Sequence, residues 1–177
     1  MEIVEARIED AVELARLHVA AERQAYAARI PALLERVSNL DGRIEIWRLA
    51  LARHSPGSNV LIAKTASGSP VGFLSGRLPS NQVYASLYGI YVLRESQRAG
   101  VGKRLFTKFV RQLHAQGAET LSCVVPEVNI QAREFFAWTG GMEVRSSSEQ
   151  DEQSHVEMME FRWSNVERLL SYLNFLG

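Results

Sequence analysis

Residues 86–113, SLYGIYVLRESQRAGVGKRLFTKFVRQL, constrain the fold more than any other part of the chain, because the hydrophobic period changes once within them. Leu87, Ile90, Tyr91, Val92 and Leu93 are aromatic or branched residues suited to a strand covered on both faces. Beyond them Leu105, Phe106, Phe109, Val110 and Leu113 recur at three- and four-residue intervals, with Lys103, Arg104, Lys108, Arg111 and Gln112 on the other side. That spacing predicts an amphipathic helix, which Gly117 ends. Between strand and helix lies a turn carrying Gln97, Arg98, Gly100 and Gly102, and the chemistry is expected there.

A loop against a helix N-terminus presents unpaired backbone N–H groups and the positive end of the helix dipole, which suits a phosphate. Gly100 and Gly102 have no Cβ to hold an anion off and can aim successive amides at one point; Arg98, Lys103 and Arg104 add positive charge. Two familiar phosphate loops do not fit. A dinucleotide fingerprint starting at Gly100 needs Gly or Ala where Leu105 stands and an acid about twenty residues on. A nucleoside-triphosphate loop needs Gly at Gln97 and Ser or Thr at Arg104.

The rest of the chain supplies a single domain around this unit. Its 177 residues allow one sizeable core and are too few for two ordinary domains. Twenty basic against 20 acidic residues leave no overall attraction to nucleic acid. The single cysteine, Cys123, cannot form an intramolecular disulfide, and no leading apolar run suggests a signal peptide or membrane span, so a reducing, cytoplasmic setting is expected.

In chain order, Ile3 and Val4 suit a short first strand. Asp10 resembles an N-cap, with Glu13 completing a capping box ahead of Leu14, Leu17, His18, Ala21 and Ala25. Pro31 is expected to open a second helix through Leu33, Leu34 and Val37. After an interruption at residues 39–42, that helix resumes with Ile44, Trp47, Leu49, Leu51 and Ala52, and residues 54–57 form a loop. Residues 59–65 and 70–76 read as a hairpin, and residues 120–125 as a further parallel strand. Asn129 can cap a helix bearing Ala132, Phe135, Phe136 and Thr139, ended by Gly140 and Gly141. Strands at residues 142–145 and 156–163 flank a polar loop, and Val166, Leu169, Leu170 and Leu173 form the stripe of a last helix.

The turn Gln97-Arg98-Ala99-Gly100-Val101-Gly102, placed between Ile90-Tyr91-Val92 and an amphipathic helix, resembles the signature of the GNAT superfamily of N-acetyltransferases. The order of elements over residues 3–163 resembles that fold too: α/β (α+β), with a mixed central sheet of about six to seven strands and flanking helices. The implied domain is residues 1–163, with 164–177 a helical extension whose apolar face must cover its own domain or a second subunit; a homodimer is the preferred expectation. The resemblance implies acetyl-CoA as donor. Its pantetheine arm would pair with Ile90, Tyr91 and Val92, and its pyrophosphate would rest on the amides of Arg98, Ala99, Gly100, Val101, Gly102 and Lys103. Asn129 and Ala132 fit the family's helix pattern, whose seventh position, a tyrosine in the family, is Phe136 here; the resemblance implies Asn129 and Phe136 on the cofactor side. Arg43, Trp47, His18 and Tyr26 resemble a branch of small bacterial enzymes that includes polyamine acetylases.

The implied reaction is direct transfer of acetyl to the primary amine of a small molecule or peptide, without metal; the alternative is a non-catalytic acyl-CoA binder. An alkylamine with pKa about 10.4 is only about one part in a thousand neutral at pH 7, a deficit of roughly 4 kcal/mol that a base or a desolvating pocket must lessen. Many relatives place a glutamate on the central strand, where this chain has Ser86 and Tyr88. The family's usual tyrosine protonates the departing thiolate; Phe136 cannot, and Tyr88 is the substitute put forward first, with Tyr84, Tyr91 or an ordered water as alternatives. Glu22 and Tyr26, one helical turn apart, are candidates to line the acceptor site or, equally, to form a solvated face. His18 reads as a hydrogen-bonded core residue, Cys123 as a small buried one, and the acidic run at residues 149–152 as a solvated segment.

Overall fold

Among the described residues seven strands form one sheet in the order β1-β2-β3-β4-β5-β7-β6, and its single parallel pairing, β4 with β5, is the one made across the strand–turn–helix unit. The computed structural model describes residues 1–26, 39–52, 57–145 and 157–176. The helix start expected at Pro31, most of the loop at 54–57, the start of the last strand at residue 156 and the acidic run at 149–152 lie outside the described residues.

β1 (Glu2–Glu5), β2 (Ser58–Lys64), β3 (Pro70–Arg77) and β4 (Tyr84–Val92) are antiparallel neighbours. β5 (Thr120–Pro126) follows β4 in parallel, then β7 (Met158–Trp163) and β6 (Met142–Arg145) complete the sheet antiparallel. The expected hairpin is the β2–β3 pair.

Helices α1 (Ala11–Tyr26) and α2 (Leu40–Ala52) cover one face. Leu14, Leu17, Trp47 and Leu51 pack there on Ile62 and Phe73. α3 (Val101–Ala115), with Leu105, Phe106, Phe109, Val110 and Leu113 buried, belongs to a second core with Leu61, Leu74, Leu87 and Leu121. α4 (Ile130–Trp138) and α5 (Val166–Phe175) add Phe136, Val166, Leu169 and Leu173 to that second core. Sheet alternation splits the two cores: Leu61 and Ile62, neighbours on β2, belong to opposite ones. The α5 stripe is therefore satisfied inside its own domain, and the apolar face that suggested a second subunit does not require one.

Two local readings change. A 3-10 turn, Ile8–Asp10, precedes α1, and Asp10 Oδ2 accepts from the Arg7 N–H at 2.8 Å while Oδ1 receives Lys64 Nζ at 3.0 Å. Asp10 thus reaches back across the turn, because the helical path starts at Ile8, two residues before the expected cap. At residues 39–42 the expected interruption is instead a helix start: Asn39 Oδ1 accepts the Gly42 N–H at 2.9 Å. Leu49, placed on the apolar face by periodicity, is exposed.

Candidate active site

The sheet opens where β4 bends. Ser75 lies opposite Gly89 and Gly76 opposite Leu87, so Tyr88 is an extra residue on β4, a bulge. Pairing between β4 and β5 covers Tyr84 to Leu87 against Thr120 to Cys123 and stops there. Ile90, Tyr91 and Val92 pair with β3 alone, whereas Val124, Val125 and Pro126 pair with β7 alone. A bulge increases local twist, which is why strands that start parallel diverge beyond it. Ile90 to Val92 therefore keep a backbone edge with no strand beside it among the described residues.

That open edge runs into the glycine turn. Arg98 and Gly100 both have left-handed backbone, φ 62° and 77°, and α3 begins immediately after Gly100. The first helical bond is Arg104 N–H to Gly100 O, 3.0 Å. Among the described residues none of the six amides of Arg98, Ala99, Gly100, Val101, Gly102 and Lys103 donates a hydrogen bond of good geometry. Consecutive free amides at a helix N-terminus form an anion cradle.

The glycines test whether the cradle fits a pyrophosphate. A Cβ at Gly100 would meet nothing within 4 Å, and one at Gly102 would come no closer than 3.5 Å to Phe135. Gly102 also has ordinary backbone, so neither strain nor packing within the chain demands glycine there. Gln97 braces the turn, donating from Nε2 to Val92 O at 2.9 Å and accepting from Gln131 Nε2 at 2.7 Å.

The charges divide differently from expectation. Lys103 Nζ donates to Leu176 O at 2.7 Å and Arg104 Nη2 to Met1 O at 2.9 Å, so both side chains tie down chain ends. Arg98 has no side-chain partner among the described residues and remains available to an anion. Val101 buries its side chain in the core and offers only its backbone.

A polar cluster stands on the α1 side. Glu22, expected on a solvated or acceptor-lining face, is 8% exposed, and Oε2 receives Arg43 Nη2 at 3.0 Å. His18 Nε2 is 3.1 Å from Glu22 Oε1, and the Tyr91 hydroxyl reaches that oxygen at 3.5 Å. His18 sits in an aromatic box of Trp47, Phe73 and Tyr91, with centroids 4.7–5.8 Å away, and neither ring nitrogen makes a well-directed hydrogen bond. It is a core histidine, as expected, but held by rings rather than by a hydrogen bond. Burial, reinforced by Tyr26 and Glu22, pushes the Tyr91 phenol well above its ordinary range.

Asn129 links the two sides. Its Oδ1 accepts the Ala132 N–H at 3.1 Å, the expected cap, while Nδ2 donates to the Tyr26 hydroxyl at 3.0 Å. Burial raises the Tyr26 pKa, opposed by that hydrogen bond and reinforced by Glu22. The Arg43–Glu22 and Asn129–Tyr26 pairs join residues 21 and 103 positions apart. Sequence offered one hint, the four-residue spacing of His18, Glu22 and Tyr26 along α1. Beside them a groove of about 360 Å³ is lined by Gln24, Ala25, Arg94, Asn129, Gln131 and Glu134.

The remaining candidates separate. Tyr88 projects an exposed side chain from the bulge, without a hydrogen-bond partner among the described residues. Phe136 is sealed at 2% exposure among Phe106, Phe135, Phe161 and Trp163. Cys123 is buried, and that burial pushes its thiol far up, where it is no nucleophile. Among the described residues no group of three or more His, Cys, Asp or Glu is placed to hold a metal ion, and no helix is long and apolar enough to cross a membrane.

Residues 12–140 match the model of the acetyltransferase (GNAT) family. The chain is 33% identical over 128 residues to the uncharacterized N-acetyltransferase YuaI of Bacillus subtilis strain 168, covering 71% of each. Among solved structures it is similar to the PaiA N-acetyltransferase of Thermoplasma acidophilum in complex with coenzyme A (TM-score 0.74, 19% identity, 92% of this chain and 98% of that one). It is also similar to the Brucella melitensis ribosomal-protein-alanine N-acetyltransferase (TM-score 0.70, 18% identity, 93% and 99%). A third is yncA of Salmonella typhimurium, solved with its cofactor acetyl-CoA (TM-score 0.67, 16% identity, 93% of each).

Proposed function

Since the chain belongs to the acetyltransferase (GNAT) family, we propose that it is an N-acetyltransferase that moves an acetyl group from acetyl-CoA to a primary amine of a small molecule or peptide. The observation that carries this reading is the continuity of the open β4 edge with six free amides. The edge of Ile90, Tyr91 and Val92 offers strand-like pairing to an amide-bearing arm. The cradle of Arg98, Ala99, Gly100, Val101, Gly102 and Lys103 suits a pyrophosphate beside it, with Arg98 adding charge. Asn129, three residues past the end of β5, is put forward on the cofactor side too, whereas Phe136, 2% exposed among aromatic rings, supports that side from the core. When bound, acetyl-CoA supplies an activated acyl group on a thiol leaving group.

On the acceptor side Glu22 and Tyr26 are the residues put forward. Arg43 already neutralises the Glu22 carboxylate, so Glu22 orders this wall more than it attracts a cation. Tyr88, exposed at the bulge, is the weaker catalytic candidate. A reducing cytoplasmic setting suits a chain whose one thiol is buried and protonated.

A second reading, a non-catalytic acyl-CoA binder, is favoured by Phe136, which has no hydroxyl, and by Ser86 and Tyr88, which provide no carboxylate. Calorimetry with acetyl-CoA tests what the readings share, and no heat at millimolar ligand would sink both. Thiol release over polyamines, amino acids, aminoglycosides and peptide N-termini then separates them: turnover with any amine supports the enzyme, tight binding without turnover the binder.

A further inference from the structure

We infer that Tyr26 is the catalytic acid of this site, delivering its phenolic proton to the departing sulfur in place of the hydroxyl that Phe136 lacks. The inference rests on the acetyl-CoA reading above. It begins with the orientation of Asn129. Because Oδ1 accepts the Ala132 N–H as the helix cap, the other end of that amide must be Nδ2, a donor, and it points at the Tyr26 oxygen at 3.0 Å. Tyr26 is therefore the acceptor in this bond. Its own proton has no acceptor among the described residues, although the side chain is only 7% exposed. A buried hydroxyl proton that no described residue accepts is placed to meet an acceptor on a ligand.

Position supports the same role. Asn129 stands just past the end of β5, whereas Tyr91, whose ionisation Tyr26 disfavours, lies on β4. The Tyr26 phenol is thus held at Asn129, past the end of β5, and interacts with Tyr91 on β4; the pairing of these two strands ends at Leu87 and Cys123. The other tyrosines on β4 fit less well: Tyr84 and Tyr88 are about two-thirds exposed, and the Tyr91 hydroxyl is directed at Glu22. Burial keeps Tyr26 protonated, with Glu22 reinforcing that effect.

In the transfer, the amine lone pair forms the C–N bond and the C–S bond breaks with its electron pair on sulfur. Sulfur takes the Tyr26 proton. The surplus proton on nitrogen passes to water, and water re-protonates the phenolate, so the exchange balances.

The test has two arms. With Tyr26→Phe, kcat for thiol release is expected to fall about 10²-fold or more while the calorimetric Kd for acetyl-CoA stays within about threefold. In the second arm Tyr26 is replaced by 3-fluorotyrosine, and its 19F resonance is expected to shift on adding CoA but not desulfo-CoA, which lacks the acceptor sulfur. Unchanged kcat in the phenylalanine variant, or equal 19F responses to both ligands, overturns the assignment. Wild-type protein that binds acetyl-CoA without turnover overturns the transferase reading and this role with it, a result distinct from an active enzyme indifferent to Tyr26.

Discussion

Glycines at positions 76 and 102 are absent of side chain for opposite reasons, and substitution should reveal the difference. A Cβ at Gly76 would sit 2.4 Å from the Phe109 ring, whereas one at Gly102 has ordinary clearance of 3.5 Å. Gly76→Ala is expected to lower unfolding free energy by about 1–3 kcal/mol through overpacking. Gly102→Glu should instead leave the melting temperature within a few degrees of wild type and abolish acetyl-CoA binding, by filling the cradle with like charge. Calorimetry and thermal melts on the same two proteins decide it; intact binding in Gly102→Glu would move the phosphates elsewhere. Phe136 behaves as a core residue. Sequence comparison alone expects Phe136→Tyr to keep or raise transfer, but at 2% exposure among four aromatic rings a new hydroxyl has no evident partner. The variant is expected to lose about 1–3 kcal/mol in denaturant titration, from burial of an unpaired polar group. The loop residues were legible one by one, because glycine and a helix start have local signatures. Glu22 was not: a glutamate's burial depends on Arg43, which belongs to another helix.

Elements respond to what covers them. α5 has the composition of an appendage by position in the chain, yet Val166, Leu169 and Leu173 lie in the core that contains α3. Lys103 strengthens the joint by donating to Leu176 O. Leu173→Ala should therefore cost about 2–5 kcal/mol and lower the single cooperative transition of the whole domain. A separate low-temperature transition, leaving the main melt unmoved, would make α5 an independent extension. The bulge at Tyr88 is an element-scale device that periodicity could not display. Alternation predicts which residues form β4, but whether the register skips one of them depends on the hydrogen bonds of β3.

Across the molecule, ion pairs join segments that the chain holds far apart. Burial alone would raise the Asp10 carboxyl, but the Arg7 N–H and the Lys64 ammonium outweigh it and hold the pKa below the ordinary 3.8. A carboxyl depressed on folding contributes stability that is present above its unfolded pKa and lost as pH falls toward the folded value. Asp10→Asn is thus expected to be less stable than wild type at pH 7, with the gap closing below about pH 4; an equal gap at pH 7 and pH 3 would exclude the pairing as its cause. Sequence by itself determined the α/β class, the strand–turn–helix unit, the caps at Asn129 and the glycine turn, since each depends on neighbours within a few residues. Tertiary structure decided the rest. Where β4 leaves β5, which cations turn toward chain ends, that α5 closes its own core and that Tyr26 meets Asn129 all depend on residues tens of positions apart, brought together only by the sheet.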